Sequence, residues 1–153
     1  MLIRKGTPAD LPQVFDLVME LAIYEKAPQE VENSVAQMLQ DGFGDKPIFE
    51  FFVAELEGHI VGTAIYYYRY STWKGKALYL EDLVVSESSR GKGLGKKLLD
   101  AIVFEAKKVN AKQVRWQVLD WNEPAINFYK KLGADLDSEW INCTLTEAQI
   151  NNY

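Results

Sequence analysis

The sequence predicts a mixed α/β (α+β) fold with a central, mostly antiparallel sheet flanked by helices, and three observations carry that prediction. First, three segments rich in aromatic and β-branched residues follow one another closely: Phe49–Leu56, Ile60–Tyr68 and Ala77–Val85. Second, apolar residues recur at helical spacing on either side of that block, at Leu11, Val14, Leu17, Val18 and Leu21 before it and at Leu94, Leu98, Leu99, Ile102 and Ala106 after it. Third, the last of the three strands runs through a glycine-rich turn directly into the second of these helices, giving a strand–turn–helix unit at the centre of the chain.

The elements follow in order. "LIRKG" is a short first strand. "TPADLPQVFDLVMELA" carries helix-start signals, with Thr7 as N-cap, Pro8 at the first position and Asp10 near the positive end of the dipole. Pro12 conflicts with a helix begun at Pro8, because it removes a backbone donor. A second helix is expected over Val31–Gln40, and "GFGDKP" reads as a loop. Glu57-Gly58-His59 predicts a tight hairpin, with His59 a turn residue. The central helix is expected over Gly93–Val109, and "QVRWQV" alternates as a strand with Val114, Trp116 and Val118 on one side. "NEPAINFYKKLGA" is a short helix with Asn122 as cap, Pro124 in the first turn and Gly133 at the end. Trp140–Thr144 is expected as a last strand, and the closing "EAQINNY" has no assignment.

Composition bounds the function. A chain of 153 residues suits one domain, 1–153, and can bury a sizeable core without a metal or disulfide staple. The lone Cys143 allows no intrachain disulfide and is expected to be a small buried residue; with one histidine, no metal site is expected. No apolar run approaches a membrane span, and "MLIRKGTPADLP" lacks a signal-peptide core, so a cytoplasmic protein without a membrane partner is the expectation. Net charge is −5, from 17 basic and 22 acidic residues; without Arg90, Lys92, Lys96 and Lys97 it would be −9. An acidic body argues against nucleic acid, whose binding depends on phosphate neutralisation, and suits a cationic partner.

The basic island lies in "RGKGLG", where glycines allow close approach of the backbone and positive φ, and the following helix start offers unpaired N–H groups. That chemistry suits a pyrophosphate. Yet the spacing is G-x-G-x-G rather than the dinucleotide fingerprint, and Lys97 stands where a P-loop needs Ser or Thr. On the residues alone the turn is either an anion site or a solvated loop.

The same residues carry a family resemblance. "VSESSRGKGLGKKLL" resembles the R/Q-x-x-G-x-G/A signature of the GNAT acetyltransferases, with Arg90, Gly93 and Gly95 in the defined places, and "NEPAINFYKKLGA" resembles their later signature. "MELAIYEKAP", "YSTWKGK", "LYLEDLVV" and "WNEPAINFYKKLGA" are similar to the spermidine/spermine N-acetyltransferases and the thialysine acetyltransferases grouped with them, from Leu2 to about Thr146. The resemblance implies the GNAT acyl-CoA N-acyltransferase fold, acetyl-CoA as cosubstrate, a small cationic amine as acceptor, and a homodimer. It implies that the backbone of Leu83, Val84 and Val85 contacts the acetyl and pantetheine groups. It gives the pyrophosphate to Arg90, Gly91, Lys92, Gly93, Leu94, Gly95 and Lys96, and sets Asn122, Pro124 and Ala125 along the pantetheine arm.

Acetyl transfer requires a neutral amine. An ammonium with pKa near 10.4 is neutral in only about one part in a thousand at pH 7.4, a penalty of roughly 4 kcal/mol. Glu81 is the candidate base, directly or through water, and its alternative reading is an exposed strand-end carboxylate. Asp82, its neighbour, is expected to point to the opposite face of the strand. Tyr129, which the family sets beside the thioester sulfur, is the candidate general acid, and its alternative reading is a core aromatic. A backbone N–H near Val84 would meet the oxyanion. Tyr24, Glu25, Trp73, Glu81 and Asp82 are the candidate acceptor contacts, by charge and cation–π attraction. Ser71-Thr72-Trp73 stands where the polyamine enzymes carry Asp-Pro-Trp; the missing carboxylate points to a shorter amine, thialysine-like or a diamine. Tyr66-Tyr67-Tyr68 alternates along a strand, so at most part of it lines a pocket. Beside the enzyme stand two other readings, a non-catalytic acyl-CoA-binding or sensor module and a protein lysine acetyltransferase.

Overall fold

The computed structural model describes residues 1–153, which divide into two units, Met1–Gln117 and Val118–Tyr153. The first unit holds a five-stranded sheet in the order β1-β2-β3-β4-β5, made of β1 (Leu2–Lys5), β2 (Glu50–Leu56), β3 (His59–Ser71), β4 (Gly75–Val85) and β5 (Gln113–Arg115). The first four strands pair antiparallel, and β5 pairs parallel to β4. Glu57 and Gly58 both take positive φ, 52° and 80°, and Leu56 pairs with His59, so the β2–β3 turn has two residues and His59 opens β3.

Three helices pack on this sheet. α1 (Leu11–Tyr24) and α2 (Val35–Phe43) cover one face, where Leu11, Val14, Leu17 and Met38 meet Phe51, Val53, Ile60, Ile65 and Val84. α3 (Leu94–Lys108) buries Leu94, Leu98, Leu99, Ile102 and Ala106. Ile65 and Val84 lie on the side of the sheet that α1 covers, the α1 face.

Helix starts differ from expectation for local reasons. Pro8–Asp10 forms a separate 3-10 turn closed by the Thr7/Asp10 capping box, and α1 begins at Leu11. Pro12 therefore falls in the first turn, where no donor is required. Asp10, only 6% exposed, accepts both terminal nitrogens of Arg4 at 2.7 and 2.8 Å, and Arg4 also reaches Glu55 at 2.8 Å. This fork holds the Asp10 carboxyl down at about 2. α2 starts four residues later than predicted, because Ser34 caps it by accepting from the Gln37 N–H.

The second unit carries α4 (Glu123–Lys131) and α5 (Glu147–Asn151). Asn122 caps α4 by accepting from the Ala125 N–H, with Pro124 in the first turn. The strand expected at Trp140–Thr144 does not form: residues 134–146 have no regular structure, and Trp140 and Ile141 are exposed. Cys143 is accordingly exposed rather than buried. The unassigned tail forms α5, closed by a Thr146/Gln149 capping box.

Candidate active site

The site in the first unit is built on the second half of β4. Alternation is broken there by a bulge: Ile65 pairs with Asp82 and Tyr66 with Leu80, so Glu81 is the extra residue. The bulge overturns the expectation that Glu81 and Asp82 point apart. Asp82 lies opposite Ile65, hence on the α1 face, and Glu81 reaches the Tyr67 hydroxyl at 3.2 Å on that same face. Both carboxylates serve one side of the sheet.

A third carboxylate joins them. Glu25 is the C-cap of α1, at the negative end of the helix dipole, where an acidic side chain is disfavoured. Burial raises the Glu25 pKa. Asp82 is pushed up to about 6 by burial first, then by the charges of Glu81 and Glu25. None of the ion pairs in the structure engages Glu25, Glu81 or Asp82, so the three acids together suit a cation.

β4 is also open along one edge. β5 pairs only with Ala77, Leu78 and Tyr79, so Leu80–Val85 has no ladder partner on that side. The backbone of Leu83, Val84 and Val85 thus offers hydrogen-bonding groups beside the carboxylates.

Beyond Val85 the chain turns sharply. Gly91 and Gly93 take φ of 76° and 75°, where a side chain would be strained, and open space surrounds the position of a Cβ at each. Gly93 is the N-cap of α3 and gives it no side-chain cap, leaving the leading N–H groups of Leu94, Gly95 and Lys96 to an outside partner. Lys92 is exposed beside them, and Lys96 pairs with Asp100. Arg90 anchors the turn: its Nε donates to the Val85 carbonyl at 3.1 Å, and its guanidinium lies 3.8 Å from Glu20 and 5.4 Å above the Tyr24 ring. Glu20 also accepts the Glu87 N–H at 2.7 Å. Tyr24 thus stacks under the basic turn, and Glu20, which the sequence reading did not single out, ties that turn to α1.

The other expected residues are placed as follows. Trp73 is 83% exposed at the tip of the β3–β4 hairpin, where the Ser71 hydroxyl accepts from the N–H groups of Trp73 and Lys74. Six strand steps separate Gly75 from Glu81, about 20 Å, so Trp73 is not brought to the carboxylates. The tyrosine run divides: Tyr66 is fully buried against Lys5 and Glu50 and Tyr68 bonds Glu105 at 3.4 Å, while Tyr67 serves the α1 face. In the second unit Asn122, Pro124 and Ala125 form the start of α4, and Tyr129 lies two residues before its end, 8% exposed, its ring 5.3 Å from that of Phe128. No group of three or more His, Cys, Asp or Glu side chains is arranged to hold a metal ion, and no helix is long and apolar enough to cross a membrane.

An open-edged bulged strand runs into a glycine turn at a helix N-terminus, with an acidic cluster before it, and comparison with known proteins gives the class. The acetyltransferase (GNAT) family matches residues 11–134, and the chain belongs to it as an N-acetyltransferase. The chain is 39% identical over 142 residues to the thialysine N-epsilon-acetyltransferase of Bos taurus, covering 88% of this chain and 84% of that one. It is 37% identical over 145 residues to the spermidine/spermine N(1)-acetyltransferase-like protein 1 of Homo sapiens, covering 90% of this chain and 21% of that longer one. Among solved structures, a tetramutant of the BH1408 protein from Bacillus halodurans superposes with a TM-score of 0.76 at 25% identity, over 95% of this chain and 100% of that one.

Proposed function

We propose that this protein transfers the acetyl group of acetyl-CoA to a primary amine of a small cationic substrate, thialysine-like or a diamine. One observation carries the reading. The strand end Leu83–Val85 separates two sites of opposite charge, the carboxylates Glu25, Glu81 and Asp82 before it and the Arg90–Lys96 turn after it. An anionic donor and a cationic acceptor then meet at one stretch of open-edged backbone.

In this reading the glycine turn and the α3 N-terminus take the pyrophosphate, and Leu83–Val85 takes the pantetheine and acetyl groups. Asn122, Pro124 and Ala125 lie along the pantetheine arm. The carboxylates hold the ammonium, and Glu81 takes its proton, directly or through water. The amine lone pair attacks the thioester carbon, an N–C bond forms, and a backbone N–H near Val84 stabilises the oxyanion. The oxyanion then collapses, the C–S bond breaks and Tyr129 gives the sulfur a proton, while the second proton that the nitrogen loses returns, through water, to the phenolate. A phenol is protonated at neutral pH and suits that step. Ser71 supplies no carboxylate and Trp73 lies away from Glu81, so acceptor recognition rests on three clustered acids, which favours a compact amine over a long polyamine. A single functional domain, a homodimer and a cytoplasmic setting complete the proposal.

The test is free-thiol release from acetyl-CoA with thialysine, putrescine, spermidine, spermine, lysine and a lysine peptide. Turnover with thialysine or putrescine above that with spermine is the expected result. Acetyl-CoA binding without turnover on any amine would favour a sensor module, and preference for the peptide would favour a protein acetyltransferase.

A further inference from the structure

Glu81 sits on a bulge and is exposed, so on its own its flexible side chain would sample several rotamers. Yet one oxygen is held. The Tyr67 hydroxyl donates to Glu81 Oε2 at 3.2 Å from the adjacent strand. The Tyr67 ring is itself fixed, packed against buried Tyr79 with centroids 5.3 Å apart, and the Arg69 guanidinium lies 5.2 Å from the Tyr79 ring on its other contact. Tyr67 also lines a cavity of about 460 Å³ with Phe43, Ile48, Phe49 and Phe51. The phenol therefore stands between an aromatic cavity and the carboxylate. Its neighbours Tyr66 and Tyr68 bond Glu50 and Glu105 instead and do not share this role.

Resting on the reading of Glu81 as base, we propose that Tyr67 is a positioning residue that fixes the Glu81 carboxylate, holding Oε2 so that Oε1 faces the acceptor amine or its water. The phenol does not exchange a proton with substrate. Burial and the Glu81 charge push its pKa up to about 12, so it stays a donor throughout the working pH range. A hydrogen bond to a charged group, made before substrate arrives, contributes by holding the base in one geometry.

The test is a double-mutant cycle on thiol release with thialysine and acetyl-CoA, joined to an activity-independent measurement. Tyr67→Phe is expected to lower kcat about tenfold with the KM for acetyl-CoA unchanged, the size of one lost charged hydrogen bond. Tyr68→Phe is expected to leave kcat within about twofold, since its hydroxyl bonds Glu105. In a Glu81→Gln background, Tyr67→Phe is expected to have no further effect, because it acts through that carboxylate. An equal loss in both backgrounds overturns the proposal. So does no loss in Tyr67→Phe while Glu81→Gln is slow, a result that leaves Glu81 as base intact. If Glu81→Gln turns over normally, the base reading itself fails. With Cζ-labelled tyrosine, the Tyr67 resonance, identified by its loss in Tyr67→Phe, is expected to move in Glu81→Ala while that of Tyr68 stays. A Tyr67 resonance indifferent to Glu81→Ala overturns the proposal without any assay of turnover.

Discussion

Glu81 and Asp82 are sequence neighbours on one strand, yet both serve the same face of the sheet. Glu81 is the extra residue of a bulge, and the strand loses one step of alternation there. Two carboxylates that a regular strand would separate are brought to one site, with Glu25 beside them, and burial first, then the charges of Glu81 and Glu25, push the Asp82 pKa up to about 6.

That cost gives the first prediction. Asp82 binds its proton more tightly folded than unfolded, so its ionisation destabilises the protein above about pH 6, and the cost is absent below the usual carboxylate value near 4. Asp82→Asn should therefore stabilise the protein at pH 7.5 by about 2 kcal/mol, with the difference vanishing at pH 4. Urea unfolding at the two pH values checks this. The same variant should lose about tenfold in kcat/KM for the amine, a gain of stability joined to a loss of function.

Asp10 makes the opposite prediction. Its carboxyl is held at about 2 by Arg4, so its stabilisation is complete above about pH 4 and is lost as pH falls toward 2. Asp10→Asn should cost about 2 kcal/mol at pH 7 and progressively less below pH 4, with kcat unchanged in the folded enzyme. Denaturant titrations across pH 2–7 measure both arms.

The donor turn depends on backbone conformation. Gly93 has φ of 75° and caps α3 without a side chain. Gly93→Val strains the backbone by about 1–2 kcal/mol and disturbs the N–H groups offered to the pyrophosphate. The KM for acetyl-CoA is expected to rise about tenfold or more. Calorimetric titration with CoA should show the same loss, because in the proposed reading the turn takes the phosphates rather than the acetyl group.

Tyr129→Phe removes the proposed acid while keeping the ring and its packing. Turnover should fall about a hundredfold with acetyl-CoA affinity kept. Rapid-quench measurement of a single turnover should place the loss in the transfer step.

Much of this was legible in the sequence because local chemistry decided it. The positive-φ glycines of the turn before α3, the Asn122 cap, and the apolar stripe of α3 were each set by local chemistry, although what the turn binds was not. Three misses arose where tertiary pairing decides. Trp140–Thr144 has the residues of a strand, but alternation shows only that a segment fits a pleated surface; with no ladder partner it stays irregular and leaves Cys143 exposed. The bulge at Glu81 leaves no mark in a single strand, since it exists only in the register between β3 and β4. The Tyr67–Glu81 bond, across that same register, was hidden for the same reason. The late start of α2, by contrast, was readable: Ser34 and Gln37 have the spacing of a capping box.

The central claim is that the carboxylates before Leu83 deprotonate an amine brought to acetyl-CoA. Its most direct test is the rate of thiol release by Glu81→Gln with thialysine, set beside acetyl-CoA affinity measured on the same preparation. The account predicts a fall in kcat of about a hundredfold or more with that affinity unchanged. A variant that turns over at the wild-type rate would contradict it.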